Sequence, residues 1–199
     1  MVFGMMPTWN PDPFPAKLDD RERDTYYGVG LVMSHWASVE FELARLYSFF
    51  AGDEDADTVQ LYGRGQIFRE RLAILCKAAG VFFVRWPDQN IEGAFDRLTD
   101  VAEALSTHRN DVAHGIVFDV SGMTVFKMRF PKVYGRKSQY ALVPPFYTVR
   151  RHDGGLPTYA YALPEMKLLA GDLLRLVVDV REFREVLSAH HTERLQARP

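Results

Sequence analysis

The sequence predicts a mainly α protein: an up-and-down four- to five-helix bundle with a small β-hairpin insertion before the last helix. Two observations predict this fold class. Four long segments repeat apolar residues at steps of three and four, which is the period of an α-helix that buries one face. The segment at about 116–163 instead carries β-branched and aromatic residues between turn signals, as hairpin strands do. Short connections favour antiparallel neighbours, so the helices are expected to alternate in direction.

The apolar stripes give the expected bounds of the helices. The long helices are predicted at about 24–50, about 66–84, about 91–114 and from Pro164 onwards. Asp19 and Asp20 are available to cap the first helix, and a short helix is expected to follow it up to Tyr62. Gly115 suits a left-handed residue after the third long helix. Proline is accepted in a first helical turn, so Pro164 is a suitable start for the last helix.

The segments outside these helices also have a predicted character. Residues 1–18 contain four prolines and are expected to form an extended arm, followed by one domain over 19–199. Two to four strands are predicted between the turn signals Ser121-Gly122, Tyr134-Gly135 and Asp153-Gly154-Gly155. The polar tail after Ser188 is expected to fray.

Composition restricts the class of protein. The chain has 199 residues, a formal net charge of -2 and a single cysteine, Cys76. One cysteine excludes an internal disulfide and a multi-cysteine metal site, and it fits a reducing compartment. No apolar run is long enough to cross a bilayer, and no charged start precedes an apolar stretch as in a signal peptide. We therefore expect a cytoplasmic protein with no membrane partner, no metal and no other cofactor.

Positive charge is concentrated in one segment. Residues 120–152, called here the basic segment, contain seven Lys or Arg and no Asp or Glu. The candidate RNA contacts are Lys127, Arg129, Lys132, Arg136 and Lys137. Aromatic residues lie between these charges, and phosphate neutralisation with base stacking is typical of RNA binding. The alternative is structural, because lysines on edge strands prevent aggregation and strand aromatics pack on a bundle. The sequence leaves both interpretations open.

The third long helix carries the motif with the most chemical content. Its apolar seam reads Phe95, Leu98, Ala102, Leu105, Arg109 and Val112. Arg109 stands where the helical period requires an apolar side chain, and an unpaired buried guanidinium is costly, so this exception is expected to have a reason. His108 lies beside it. Asn110 and His114 are one turn apart and share a face. Arg109 and His114 are roughly 140° apart around the axis, so a phosphate between them or a second copy of the helix is expected to bring them together.

These residue types suit metal-free cleavage of RNA. His114 can accept or donate a proton near neutral pH. Arg109 can bind a phosphate through its forked donors, and Asn110 can orient an imidazole or a phosphate oxygen. A base for the ribose 2′-hydroxyl, an acid for the leaving 5′ oxygen and a cation for the phosphorane complete such a reaction. The structural alternative is that an Arg and a His near a helix end only satisfy the last carbonyls.

A helical bundle whose third long helix ends in Arg109-Asn110-Asp111-Val112-Ala113-His114-Gly115 resembles the HEPN superfamily. Many members carry Arg-x4–6-His with a polar residue directly after the Arg, and Arg109, Asn110 and His114 match that pattern. The resemblance implies a metal-independent endoribonuclease of the toxin or defence type that acts as a homodimer, with an antitoxin or a nucleotidyltransferase as a possible partner. It equally accommodates a non-catalytic module that binds a nucleotide, RNA or a protein.

The resemblance also suggests which residues support the catalytic side chains. Acidic residues of the first helix do so in some members, and Glu40 is the corresponding candidate here. His108 and Asp111, which flank the motif, are two further candidates. The predicted strands at about 116–163 match no part of the family, so the resemblance implies nothing about their role.

Overall fold

The computed structural model describes residues 19–53, 55–131 and 140–196 of the chain. The predicted arm at 1–18 and the turn signal Tyr134-Gly135 lie outside the described residues. The fold is the predicted mainly α bundle with a small hairpin insertion before the last helix. The helices are α1 (Asp20–Ala51), α2 (Ala56–Tyr62), α3 (Phe68–Arg85), α4 (Gln89–His114), α5 (Thr124–Arg129) and α6 (Leu163–Gln196). The strands are β1 (Ile116–Asp119), β2 (Tyr140–Val143), β3 (His152–Asp153) and β4 (Leu156–Pro157).

Helix α1 begins earlier than its apolar stripe predicted because its cap is earlier. The Asp19 carboxylate accepts a hydrogen bond from the backbone N–H of Arg21 at 2.8 Å, and Asp20 and Glu22 place negative charge in the first turn. Both features stabilise a helix start, where backbone N–H groups lack partners and the dipole is positive. The helix ends at Gly52, whose φ of 79° is the left-handed conformation that glycine adopts without strain.

Ring contacts show how the long helices run. Trp36 of α1 contacts Phe68 at the start of α3, with 4.8 Å between ring centroids, and Phe50 contacts Phe82 near the end of α3, at 5.3 Å. Helices α1 and α3 are therefore parallel, and the short α2 brings the chain back between them. Phe50 also contacts Phe95 near the start of α4, at 5.4 Å, so α4 runs in the opposite direction.

Helix α6 packs along α1 in the same direction. Gly28 lies against Met166 near the start of both helices, and farther along Arg181 donates a hydrogen bond to Glu42 at 2.9 Å. The central apolar residues of α1, α3 and α6 are fully buried between them: Val32, Val39, Leu43, Leu46, Leu75, Leu173 and Leu176. Burial of each such side chain stabilises the fold by about 1.5–3 kcal/mol, so these contacts hold the bundle together.

The insertion contains the predicted hairpins and one helix that was predicted as strand. β1 pairs with β2 in antiparallel register, Ile116 opposite Val143, and β3 pairs with β4 across Gly154 and Gly155. Residues 124–129, which include Lys127 and Arg129, form α5 and not a strand. Phe126 and Phe130 explain the difference, because their spacing of four residues places both rings on one helix face, 5.0 Å apart.

The prediction of a left-handed Gly115 is wrong. Its φ is -80°, an ordinary extended conformation. Glycine is required there for space, since a Cβ would lie 2.6 Å from Cγ of Leu142 and 3.0 Å from the carbonyl oxygen of Asp111. The close approach lets α4 lead directly into β1.

The prediction of a frayed tail is also wrong. Helix α6 continues to Gln196, and its last turns contact the connection between α3 and α4. Nε2 of His190 lies 3.3 Å from Oδ2 of Asp88, and Arg194 donates to the carbonyl oxygen of Pro87 at 3.0 Å. The ring of His191 packs edge-on against Trp86, 4.9 Å between centroids. Polar tail residues are ordered because they have partners here.

None of the helices in residues 19–53, 55–131 and 140–196 combines the length with the apolar content that a bilayer span requires.

Candidate functional site

A groove of about 480 Å³ lies where the start of α3, the last turns of α4 and the 3-10 turn Val149–Arg151 meet. Arg109, Asn110 and His114 all line this groove. A single chain therefore brings the three motif residues to one place, although Arg109 and His114 leave α4 in different directions. A second copy is not needed for that, and the homodimer stays a prediction.

Helix α4 turns a polar stripe towards the groove. Glu103, Ser106 and Thr107 line it above Asn110 and His114, at the helical spacing of three to four residues. His114 is exposed and Asn110 is half-buried. The imidazole is therefore open to a ligand in the groove, which proton transfer requires.

Arg109 is held by an acidic and an aromatic residue of α1. Its guanidinium lies 3.4 Å from Oε1 of Glu40 and 4.5 Å from the ring centre of Trp36. The same Glu40 oxygen accepts a hydrogen bond from Trp36 Nε1 at 2.8 Å. A cation over an indole face is favourable, so α1 supplies the reason for the exception in the apolar seam. The expected contact between Glu40 and Arg109 is present.

Arg71 of α3 shares the same carboxylate, and the sequence analysis missed it. Its guanidinium donates to Oε1 of Glu40 at 2.7 Å and to the carbonyl oxygen of Gly65 at 2.9 Å. The side chains of Arg71, Arg109 and Glu40 are 17%, 14% and 21% exposed. Two guanidinium groups on one carboxylate leave a net positive charge at the edge of the groove. We call the four residues Trp36, Glu40, Arg71 and Arg109 the Glu40 cluster.

Burial acts on the chemistry of the Glu40 cluster. Burial lowers the pKa of Arg109, and the positive charge of Arg71 lowers it further. The negative charge of Glu40 acts in the opposite direction and raises the pKa of Arg109. Arg109 also has a buried Nε without a hydrogen-bond partner. The group nevertheless stays charged at neutral pH, because an arginine pKa starts far above it. An anion in the groove would therefore stabilise both guanidinium groups.

Asp111 connects the motif to the insertion. Its carboxylate pairs with the guanidinium of Arg151 and accepts a hydrogen bond from the Tyr161 hydroxyl at 3.3 Å. Arg151 also lies over the ring of Tyr159, 5.5 Å from its centre. These contacts bring Arg151 into the lining of the groove. Burial and the charge of Asp111 raise the pKa of Tyr161, which keeps the phenol protonated.

His108 is placed apart from the other motif residues. Its Nδ1 lies 2.9 Å from the Tyr161 hydroxyl, the side chain is exposed, and His108 is not among the residues that line the groove. Among the predicted supporting residues, Glu40 contacts Arg109 and Asp111 pairs with Arg151, whereas His108 contacts Tyr161 of the insertion.

The basic segment is divided between several places. Arg129 pairs with Asp153 at 3.4 Å, on the side of α5. Lys132, Arg136 and Lys137 lie outside the described residues, as does the side chain of Lys127. Their predicted contact with RNA therefore stays a prediction. Arg151, which was not among those candidates, is a residue of the basic segment that lines the groove.

Among the described residues, the lining of the groove contains more basic than acidic side chains. Its arginines are Arg69, Arg71, Arg109 and Arg151, and its acid is Glu103. Cations of this geometry suit phosphate, because guanidinium donors match two phosphate oxygens.

Comparison of the chain with protein-family models, with curated proteins and with solved structures gave no match.

Proposed function

We propose that the chain is a HEPN-like, metal-independent endoribonuclease that cleaves RNA by attack of a 2′-hydroxyl on the adjacent phosphate. One observation carries the proposal: His114, which is exposed, lines a single groove together with half-buried Asn110 and several arginines. Glu40 contacts Arg71 and Arg109. Asp111 contacts Arg151, so these two carboxylates orient three of the arginines. Proton transfer beside oriented cations is the combination that this reaction requires.

The residues have distinct roles in the proposed reaction. The 2′ oxygen loses its proton to a base and forms a bond to phosphorus, and the bond from phosphorus to the 5′ oxygen breaks. The 5′ oxygen receives a proton, which leaves a 2′,3′-cyclic phosphate and a 5′-hydroxyl. His114 acts as the base or the acid, and water or His114 of a second copy performs the other transfer. Arg109 and Arg71 stabilise the charge of the phosphorane, and Asn110 orients a phosphate oxygen.

The test compares two histidines of the same helix. His114→Ala should lower cleavage of a mixed-sequence RNA by roughly 10²- to 10⁴-fold, the contribution of one general acid or base. His108→Ala is the matched control, since His108 is exposed on α4 but does not line the groove. End-group analysis should find cyclic phosphate and 5′-hydroxyl ends. Cleavage should continue in a chelator, because the proposed steps use side chains alone.

Two results would contradict the proposal. In the first, wild-type protein leaves RNA intact. In the second, His114→Ala cleaves as fast as His108→Ala. Either result favours the second candidate function, a non-catalytic HEPN-like module that binds a nucleotide, RNA or a protein. The observation behind that alternative is the 14% exposure of Arg109, which already has Glu40 and Trp36 as partners. In that case Arg109→Gln should change stability and leave ligand binding unaltered.

The biological setting follows from the same proposal. A ribonuclease of this type acts in the cytoplasm as a toxin or defence enzyme, as a homodimer and under control of an antitoxin or a nucleotidyltransferase. Sedimentation at micromolar protein concentration should give twice the chain mass. A strict monomer would remove the second His114 from the mechanism and leave water as the other proton carrier.

A further inference from the structure

A second cavity lies inside the insertion, away from the groove. Its volume is about 400 Å³, and strands β1 and β2, helix α5 and the β3–β4 turn enclose it. Four of its lining residues are phenylalanines that form two contacting pairs. The pairs are Phe118 with Phe146 and Phe126 with Phe130, each with 5.0 Å between ring centroids. A volume of this size is within the usual range of about 300–1,000 Å³ for small-molecule sites.

Part of the wall of this cavity belongs to a small apolar core of the insertion, and Phe146 and Met123 form a more exposed part. Val120, Phe126 and Val143 are at most 3% exposed, and all three line the cavity. Protein interiors are normally packed without voids larger than a water molecule. An apolar space of this size therefore suits an apolar molecule better than it suits collapse or water.

Among the residues that the structure describes, Arg129 is the charged one in this lining. NH1 and NH2 of its guanidinium share one oxygen of Asp153, each at 3.4 Å, and the Asp153 side chain is 77% exposed. These distances are longer than an ordinary N–H···O bond of about 2.7–3.2 Å. A guanidinium has five donors, so Arg129 retains the capacity to bind a second carboxylate from the side of the cavity.

We propose that this cavity binds a small apolar carboxylate, with its apolar body between the two phenylalanine pairs and its carboxylate on Arg129. The charge of Arg129 selects an acid over a neutral molecule, because its guanidinium keeps donors that its two long contacts with Asp153 do not use. The body is a short alkyl chain or a flat aromatic ring, since phenylalanine rings pack well against both. The inference stands apart from the proposed ribonuclease, because it concerns another surface and needs no RNA.

The test measures binding of two acids and their neutral analogues by calorimetry. The acids are 2-naphthoate and decanoate, and the analogues are 2-naphthalenemethanol and decanol. Each acid should bind one site per chain, about tenfold more tightly than its analogue, as expected for a hydrogen-bonded charge. Arg129→Gln should remove that difference. Arg150→Gln is the matched control, an exposed arginine of the same segment that does not line the cavity.

A second variant and a second measurement test whether the ligand binds inside this cavity. Gly122 lines the cavity, and a Cβ there would meet no atom within 4 Å, so Gly122→Leu adds an apolar side chain at the cavity wall where a Cβ fits. It should weaken binding of acids and analogues alike, and circular dichroism checks that the variants fold. In wild-type protein the NMR signals of the four phenylalanine rings should shift when 2-naphthoate is added.

The outcomes are distinguishable. Saturable binding that depends on Arg129 and Gly122 supports the proposal, and a preference for naphthoate or decanoate identifies the body of the ligand. No saturable binding, equal affinity for acid and analogue, or an undiminished affinity in Arg129→Gln overturns it. Because no readout uses RNA, absence of cleavage would leave this result unaffected.

Discussion

Substitution Glu40→Gln tests the Glu40 cluster most directly. Glutamine keeps the shape of the side chain and an oxygen acceptor for Trp36, so the substitution removes the charge alone. Arg71 and Arg109 then face each other, 17% and 14% exposed, without a counter-charge. The expected result is a loss of stability that comes from two poorly solvated cations and not from lost packing.

The magnitude follows from the two contacts. A charge-assisted hydrogen bond contributes about 1.5–3 kcal/mol, and breaking a fully buried ion pair costs about 3–5 kcal/mol. The 2.7 Å contact of Arg71 is of the strong kind and the 3.4 Å contact of Arg109 is weaker. Partial exposure reduces both. We expect a decrease of about 2–3 kcal/mol in the free energy of unfolding, or about 4–12 °C in Tm for a chain of this size.

Urea denaturation measures this decrease, with Glu103→Gln as the matched control. Glu103 is an exposed acid that lines the same groove, so its substitution should change the free energy by less than about 0.5 kcal/mol. A double variant adds a stricter test. Glu40→Gln with Arg109→Gln should lose about 1 kcal/mol less than the sum of the single variants, because it removes one unpaired cation. Equal losses for Glu40→Gln and Glu103→Gln, together with strict additivity, would refute the reasoning.

Two glycine substitutions and one tyrosine test the fold, and three basic residues test the RNA contact that the sequence predicts. Gly115→Ala should destabilise the fold by about 1–3 kcal/mol because its Cβ meets Leu142. Gly80→Ala on α3, where a Cβ meets no atom within 4 Å, should stabilise it by up to about 1 kcal/mol, and denaturant midpoints compare the two. Burial and the charge of Glu40 raise the pKa of Tyr62 above its usual 10.0, so the folded state holds this proton more tightly than the unfolded state. The contribution of this proton to the free energy of unfolding is complete below pH 10 and is lost as the pH rises further. Between pH 9 and 11, wild type should therefore lose more stability in urea titrations than Tyr62→Phe. Replacing Lys132, Arg136 and Lys137 together with Gln should flatten the dependence of RNA affinity on salt if these residues contact phosphates, and an unchanged slope in filter binding would favour the structural interpretation.

The fold class was predictable because a long helix with one buried face repeats apolar residues at a regular spacing in the sequence. The stripes of α1, α3, α4 and α6 are read from residues three and four positions apart, and no distant contact is needed to interpret them. The errors arose where the outcome depends on a distant partner. The tail after Ser188 is ordered by Asp88 and Trp86, and Gly115 is dictated by the approach of Leu142. A local pattern contains neither contact.

The candidate site was predictable to the extent that it interrupts a period. Arg109 was visible because it breaks an apolar seam, and Glu40 was suggested by resemblance alone. Arg71 and Arg151 carry no comparable signal, because each lies in a sequence that is otherwise ordinary for its position. Their partners are 31 and 40 residues away in the chain. Only the three-dimensional arrangement of α1, α3 and the insertion shows that these arginines converge.

The parallel packing of α1 on α6 has a consequence for biosynthesis. Glu42 and Arg181 are 139 residues apart in the chain, so α1 meets its partner α6 only after all of the intervening residues have been synthesised. Until α6 emerges, the face of α1 that packs on it, marked by Gly28 and Glu42, is uncovered, and exposed apolar surface favours aggregation or capture by a chaperone. Long sequence separation also slows folding, since the chain must close a large loop before this contact forms. The nascent chain therefore cannot complete this core before α6 is synthesised, and truncation within α6 should leave a polypeptide that does not fold.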